Sequence, residues 1–437
     1  MRLLLAPFLG ALATAQKIGH FVPEVHPALS WSRCTSPGSC DPVDGAVTID
    51  AAFRFTHLAN SAASCFFNNR WTCGSAEACS EQCVLEGEDY GNTLGVTARG
   101  ASLSQRYKTA HQFGRTVNSR LFLLDEARVE YQTFTLLGNE LAFDVDLSLV
   151  PCGLNSAIHF LDMDADGGMA KNPGNEAGAR YGTGYCNAEC TRSNLFVQGR
   201  ANSEGWQPHE SGGEGKLGAC CSTFDVWNSN SQSFQTQSRP CSRNGIHGCT
   251  WDECDQIRVS KCAREGCEYN PYRLGATGFY GQGKTVDTKK KFTVVTRFAE
   301  DRVTKFFIQD GVKIEAPVPT APNFPGTAGL DEDFCDVLPR NFDELDKFNQ
   351  HGGWARHNDV LRRPLVMALS IQDDFYANNL WLDSYYPRDS WSPGAARGPC
   401  PNDSGHATLP WVDPAKENVS VTWSNIRFGP IGSTVDV

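Results

Sequence analysis

Between residues 134 and 149 apolar side chains fall on every second position, with Leu141, Phe143, Val145 and Leu147 separated by small or charged neighbours. A period of two puts alternate side chains on opposite faces of an extended chain, so this segment is expected to be a strand with one face in a core. Residues 46–58 alternate more loosely through Val47, Ile49, Phe53 and Phe55. Residues 292–298 and 303–314 follow, and the second run contains Asp310-Gly311 between two short apolar stretches. Asp and Gly tolerate positive φ, so this pair predicts a tight hairpin turn. Residues 365–371 are continuously apolar, as expected of a strand buried on both faces. Near the end, Val419, Val421 and Trp423 alternate with Ser420, Thr422 and Ser424.

Helical spacing is rare. Phe342, Leu345 and Phe348 fit one helical face, with Asn341 as the expected cap and Gly352 as the expected stop. A short helical turn is expected to carry Cys79 and Cys83. Many strands, few short helices and long Gly-rich connections predict an all-β chain: a sandwich of two antiparallel sheets. No internal repeat, linker or appended small module interrupts the pattern, so residues 16–437 are expected to form a single domain.

Composition narrows the function. Hydrophobic residues make up 40% and charged residues 20%, which excludes disorder for most of the chain. A net charge of -11 makes nucleic acid and anionic membranes poor partners and suits a neutral polymer better. No glycine loop followed by Lys-Ser/Thr appears, which argues against nucleotide chemistry. Arg2, the apolar run from Leu3 to Leu12 and Ala13-Thr14-Ala15 read as a secretory signal over residues 1–15, with the mature chain starting at Gln16. The run is far shorter than the ~20 residues that span a membrane.

The 18 cysteines are an even number, which in a secreted chain favours disulfides. Adjacent Cys220 and Cys221 each reach elsewhere, since a bond between neighbours is strained. Close pairs such as Cys34/Cys40, Cys186/Cys190 and Cys249/Cys254 lack the His partners of a zinc module. Asp162, Asp164, Asp166 and Gly167 imitate the start of a calcium loop, but its twelfth position is Pro173 rather than a bidentate Glu. No metal and no cofactor is therefore expected. Asn402 and Asn418 head Asn-x-Ser sequons, consistent with a secreted glycoprotein.

The segment Met163-Asp164-Ala165-Asp166-Gly167-Gly168, continuing to Tyr181-Gly182-Thr183-Gly184-Tyr185-Cys186, resembles the secreted cellulases of glycoside hydrolase family 7. So do residues 134–139 (FTLLGN), 151–155 (PCGLN), 270–275 (NPYRLG), 380–384 (LWLDS) and 424–434 (SNIRFGPIGST), with Cys220-Cys221-Ser222 between them. The resemblance runs from about Pro27 to Thr434. It implies a β-jelly roll with disulfide-tied loops and a long groove or tunnel for β-1,4-glucan, in a monomer without a separate carbohydrate-binding module. It also implies the pairs Cys34–Cys40, Cys65–Cys83, Cys73–Cys79, Cys152–Cys400, Cys186–Cys221, Cys190–Cys220, Cys241–Cys262, Cys249–Cys254 and Cys267–Cys335. One further family bridge, to the position of Val84, has lost both partners together.

The family supplies its two catalytic acids as Glu-x-Asp-x-x-Glu after Cys-Cys-Ser. Here Thr223 holds the nucleophile position and Asn228 the acid/base position, and only the middle carboxylate, Asp225, remains. Alternation puts Thr223, Asp225 and Trp227 on one face; Asn228 joins them only if a bulge or strand end intervenes. Arg239 stands where the family has a histidine. Among family sugar-contacting positions, Phe55 falls at an entrance tryptophan and Phe53 at its neighbour, Gln372 replaces another tryptophan and Trp381 is kept. Asn155, Arg273 and Arg397 match, as does Arg258 after a small gap. His159 replaces a tyrosine, and Ser193 and Leu195 replace polar or charged positions. For Arg273 a structural salt bridge competes with sugar contact.

Asn neither donates nor accepts a proton usefully near neutral pH, and Thr is a poor nucleophile without an adjacent base. The expectation is a secreted glucan binder with impaired or absent catalysis. Two alternatives are an active glucanase working through Asp225 and a structural wall or matrix protein.

Overall fold

The computed structural model describes residues 16–209, 212–255, 259–406 and 416–436. The expected signal, residues 1–15, and Arg258 lie outside the described residues. The principal strands are β1 (Trp31–Ser36), β2 (Ala46–Ile49), β3 (Ser119–Leu124), β4 (Asn139–Asp146), β5 (Asn155–Leu161), β6 (Thr223–Ser229) and β7 (Phe234–Arg239). They continue as β8 (Cys267–Tyr269), β9 (Phe292–Phe298), β10 (Arg302–Gln309), β11 (Val312–Glu315), β12 (Leu365–Gln372) and β13 (Ser420–Pro430).

Two large sheets face each other. One, of eight strands among the described residues, runs β8-β7-β6-β5-β12-β3-β2, with Thr133–Phe134 beside β12. The other, of ten, runs from Ser39–Val43 through β1-β13-β4-β9-β10-β11. Its pairs are antiparallel except β1 beside β13. The inner faces interleave Ile158, Phe160, Phe224, Trp227, Leu369 and Ile371 with Leu141, Phe143, Val145, Val294, Phe307 and Trp423 in one buried core. Each such large side chain contributes about 1.5–3 kcal/mol when taken out of water, so the alternation visible in β4 is what fixes its face. The two-sheet all-β sandwich agrees with the sequence reading. Asp310 and Gly311 take φ of 52° and 78° and turn β10 into β11.

The helical reading needs correction in one place. Asn341 lies inside α2 (Glu332–Phe342) rather than capping a helix. Asp331 caps α2 by accepting from Phe334 N–H (2.8 Å), and Asp346 starts a separate α3 (Lys347–Gln350) by accepting from Asn349 N–H (3.0 Å). Gly352 precedes α4 (Gly353–Leu361) instead of stopping a helix. Each Asp satisfies otherwise orphaned N–H groups, and those two caps divide what the spacing suggested was one helix. Upstream, α1 (Ala76–Gln82) carries Cys79, with Cys83 just past its end.

Nine disulfides join Cys34–Cys40, Cys65–Cys83, Cys73–Cys79, Cys152–Cys400, Cys186–Cys221, Cys190–Cys220, Cys241–Cys262, Cys249–Cys254 and Cys267–Cys335. Asp162, Asp164 and Asp166 serve local structure. Asp162 pairs with Arg363 (2.9 Å), Asp164 with Lys171 (2.6 Å), and Asp166 accepts from Gly168 and Ala170 N–H (2.8 and 2.7 Å).

Candidate active site

The face of the eight-stranded sheet turned away from the core carries the candidate site. Its central feature is a bulge in β6. Trp227 pairs with Ile158 and Asp225 with His159, so Val226 is an extra residue with no partner on β5. The bulge turns Asn228 onto the face of Thr223 and Asp225, as the site requires. It also corrects the expectation for Trp227, which is driven into the core and stacks on Phe234 (4.9 Å between centroids). On the core side, Lys305 Nζ donates to Val226 O (3.1 Å), satisfying the bulge carbonyl. Burial pushes this lysine down to about 7.

Thr223, Asp225 and Asn228 are all engaged within the protein. Thr223 Oγ1 accepts from Ala188 N–H (3.0 Å). Asp225 is fully buried, with Arg239 Nε 2.8 Å from its Oδ2 and Arg239 Nη2 donating to its Oδ1 (3.2 Å). Arg239 Nη1 donates to Glu189 Oε1 (2.9 Å), so one guanidinium joins two carboxylates. Glu189 is pushed up by burial, yet the Arg239 charge holds it below the ordinary carboxylate range.

Asn228 is fixed by a chain of bonds. Ser229 N–H donates to Asn155 Oδ1 (2.9 Å), which sets the orientation of the Asn155 amide. Asn155 Nδ2 therefore donates to Asn228 Oδ1 (2.9 Å). The same oxygen lies 3.0 Å from His159 Nε2, so that nitrogen carries the proton. His159 Nδ1 then faces Asp225 Oδ1 at 3.7 Å, too far for a hydrogen bond. Burial holds His159 below its usual value, against the pull of Asp225, and it is neutral near pH 7.

The expected sugar-contacting residues divide into exposed and internally paired groups. Phe55 is 42% exposed and stacks on His57 (5.0 Å), whose other face stacks on Phe21 (4.9 Å). Phe53 packs partly against the core. Trp381 Nε1 donates to Asp374 Oδ2 (2.9 Å), a carboxyl that burial pushes up. Arg273 and Arg397 both donate to Glu268 Oε1 (2.6 Å each) and both also hold Glu344. The salt-bridge reading of Arg273 thus has a geometric basis and extends to Arg397. Asn402 donates from Nδ2 to Asp389 (2.8 Å), whereas Asn418 is exposed.

Sequence reasoning missed Glu189 and the Phe21–His57 pile. A signal for Glu189 existed, since the bridges from Cys186 and Cys190 to Cys221 and Cys220 bring it beside Thr223. Phe21 and His57 had no such signal, being two aromatics among many.

The two packed, mostly antiparallel sheets define a β-jelly-roll sandwich. The model of the Glycosyl hydrolase family 7 matches residues 18–435, and the chain belongs to that family. It is similar to a cellobiohydrolase from Melanocarpus albomyces, solved with cellotetraose, at 46% identity and TM-score 0.93, covering 97% of this chain and 100% of that one. A cellobiohydrolase of the family from Daphnia pulex gives 34% identity and TM-score 0.94 over 96% and 100%. The endocellulase EGI of Humicola insolens gives 33% and 0.81 over the same shares. No helix among the described residues is long and apolar enough to cross a membrane.

Proposed function

We propose that this protein is a secreted, monomeric β-1,4-glucan-binding member of the family in which the double-displacement reaction is lost. A retaining glycosidase needs two carboxyl groups about 5–5.5 Å apart, one to attack the anomeric carbon and one to protonate the leaving oxygen. The support for this reading is that Thr223 and Asn228, which the resemblance sets at those two positions, bear no carboxyl group and are each already hydrogen-bonded within the protein. Loss of general acid–base help alone costs about 10²–10⁴ in rate. Asp225 is a poor substitute because it is fully buried against Arg239. What favours retained binding is the exposed Phe55 ring, the placement of Trp381, and the likeness to an enzyme solved with cellotetraose.

The test is adsorption to cellulose, measured together with reducing-sugar release. Adsorption without release is expected. Turnover that vanishes in Asp225→Ala contradicts the proposal and favours an active, rewired glucanase. Neither adsorption nor any oligosaccharide-induced rise in melting temperature favours a scaffold role in a wall or matrix.

A further inference from the structure

Glu189 is delivered to the centre by covalent constraint. The cysteines on either side of it, Cys186 and Cys190, are bonded to Cys221 and Cys220, immediately before Ser222 and Thr223. Ala188 N–H is tied to Thr223 Oγ1. Arg239 stands directly opposite Thr223 across the β6–β7 pair. From there its guanidinium reaches buried Asp225 on one side and half-exposed Glu189 on the other. One cation therefore bridges Asp225 and Glu189.

Resting on the reading that the reaction is lost, we infer that Arg239 locks this centre. It is a positioning residue that pairs with both remaining carboxylates and will also pair with any carboxylate restored at position 223, so returning the two acids does not by itself return hydrolysis. Residues facing each other across strands have Cβ atoms about 4.5–5.5 Å apart, within the span of a charge-assisted arginine–carboxylate pair. In the family's reaction one carboxylate bonds to the anomeric carbon as the glycosidic bond breaks, and the other gives its proton to the departing oxygen. Water then opens the glycosyl ester and returns a proton to the second group. A nucleophile clamped by a guanidinium has to leave those hydrogen bonds before it attacks. That cost falls in the chemical step, on kcat rather than KM.

The experiment compares wild type, T223E/N228E, T223E/N228E/R239H and R239H alone, with T223E/N228E/R239Q as a second route should the histidine variant melt early. The readouts are kcat and KM on p-nitrophenyl β-cellobioside against pH, with melting temperature and cello-oligosaccharide Kd as controls. The double variant is expected within threefold of the wild-type background. Removing the arginine from it is expected to raise kcat at least tenfold, with a bell-shaped pH profile and little change in KM, while R239H alone stays at background. Equal activity with and without Arg239 overturns the lock. So does background activity in both triple variants when folding and oligosaccharide affinity match wild type. A wild type that fails to bind cello-oligosaccharide refutes the glucan-binding reading instead, and the aryl glycoside still decides the role of Arg239.

Discussion

Two ion clusters lie on the same chain and are built differently. In one, Arg273 and Arg397 hold Glu268 and Glu344, two cations for two anions. In the other, Arg239 alone serves Asp225 and Glu189, with His159 neutral beside them. The first balances its charge and has the character of scaffolding. The second joins a sealed carboxylate, Asp225, to a half-exposed one, Glu189, through a single guanidinium. Burying charge is costly unless it is paired, so the lesson is where each cluster tolerates loss. Removing Glu268 from the first leaves two guanidinium groups sharing Glu344, while removing Asp225 from the second leaves Arg239 its partner Glu189.

Glu268→Gln is the most damaging change expected. It leaves both arginines short of their shared acceptor and should cost about 3–5 kcal/mol of stability, read by denaturant unfolding. Asp225→Asn should cost less, roughly 1–3 kcal/mol, because Arg239 keeps Glu189. Equal losses would erase the distinction between the clusters.

The pH response separates them further. The folded value of His159 lies below its ordinary 6.5, so its neutral form is the one folding favours. The unfolded chain then binds more protons once pH drops below 6.5, and stability falls with acidity, by up to about 1.4 kcal/mol per pH unit for one proton. Glu268 loses stability in the same direction, but in a more acidic window. Burial raises it, but the two arginines hold it below 4.5, so its contribution persists until pH falls below that value and through its folded one. Between pH 6.5 and 4.5 the His159→Gln variant should therefore show a shallower loss of melting temperature than wild type. Glu268→Gln should run parallel to wild type over that interval.

A smaller effect tests the exposed aromatic pile at Phe55. Phe55→Ala should weaken cello-oligosaccharide binding by about three- to tenfold, roughly 0.6–1.4 kcal/mol, without altering the melting temperature. Phe53→Ala should do the reverse, since that ring packs against the core.

Much of this was legible in the residues. Period-two alternation in residues 141–147 and the Asp310-Gly311 turn follow from steric rules that hold anywhere, and they predicted strand and hairpin correctly. The sandwich followed from many such segments. What stayed hidden depended on tertiary geometry. An extra residue at Val226 cannot be read from alternation, so Trp227 was put on the wrong face. The caps at Asp331 and Asp346 competed with an equally plausible Asn341. The pairing of Arg239 with two carboxylates needs three segments brought together, two of them by disulfides.

The central claim is that the groove holds glucan without cutting it. Its most direct test is a calorimetric titration of the wild-type protein with cellohexaose, followed by chromatography of the same solution after prolonged incubation. Saturable binding with the hexasaccharide recovered whole is the result expected. Cellobiose or cellotriose accumulating in proportion to protein and time would contradict it.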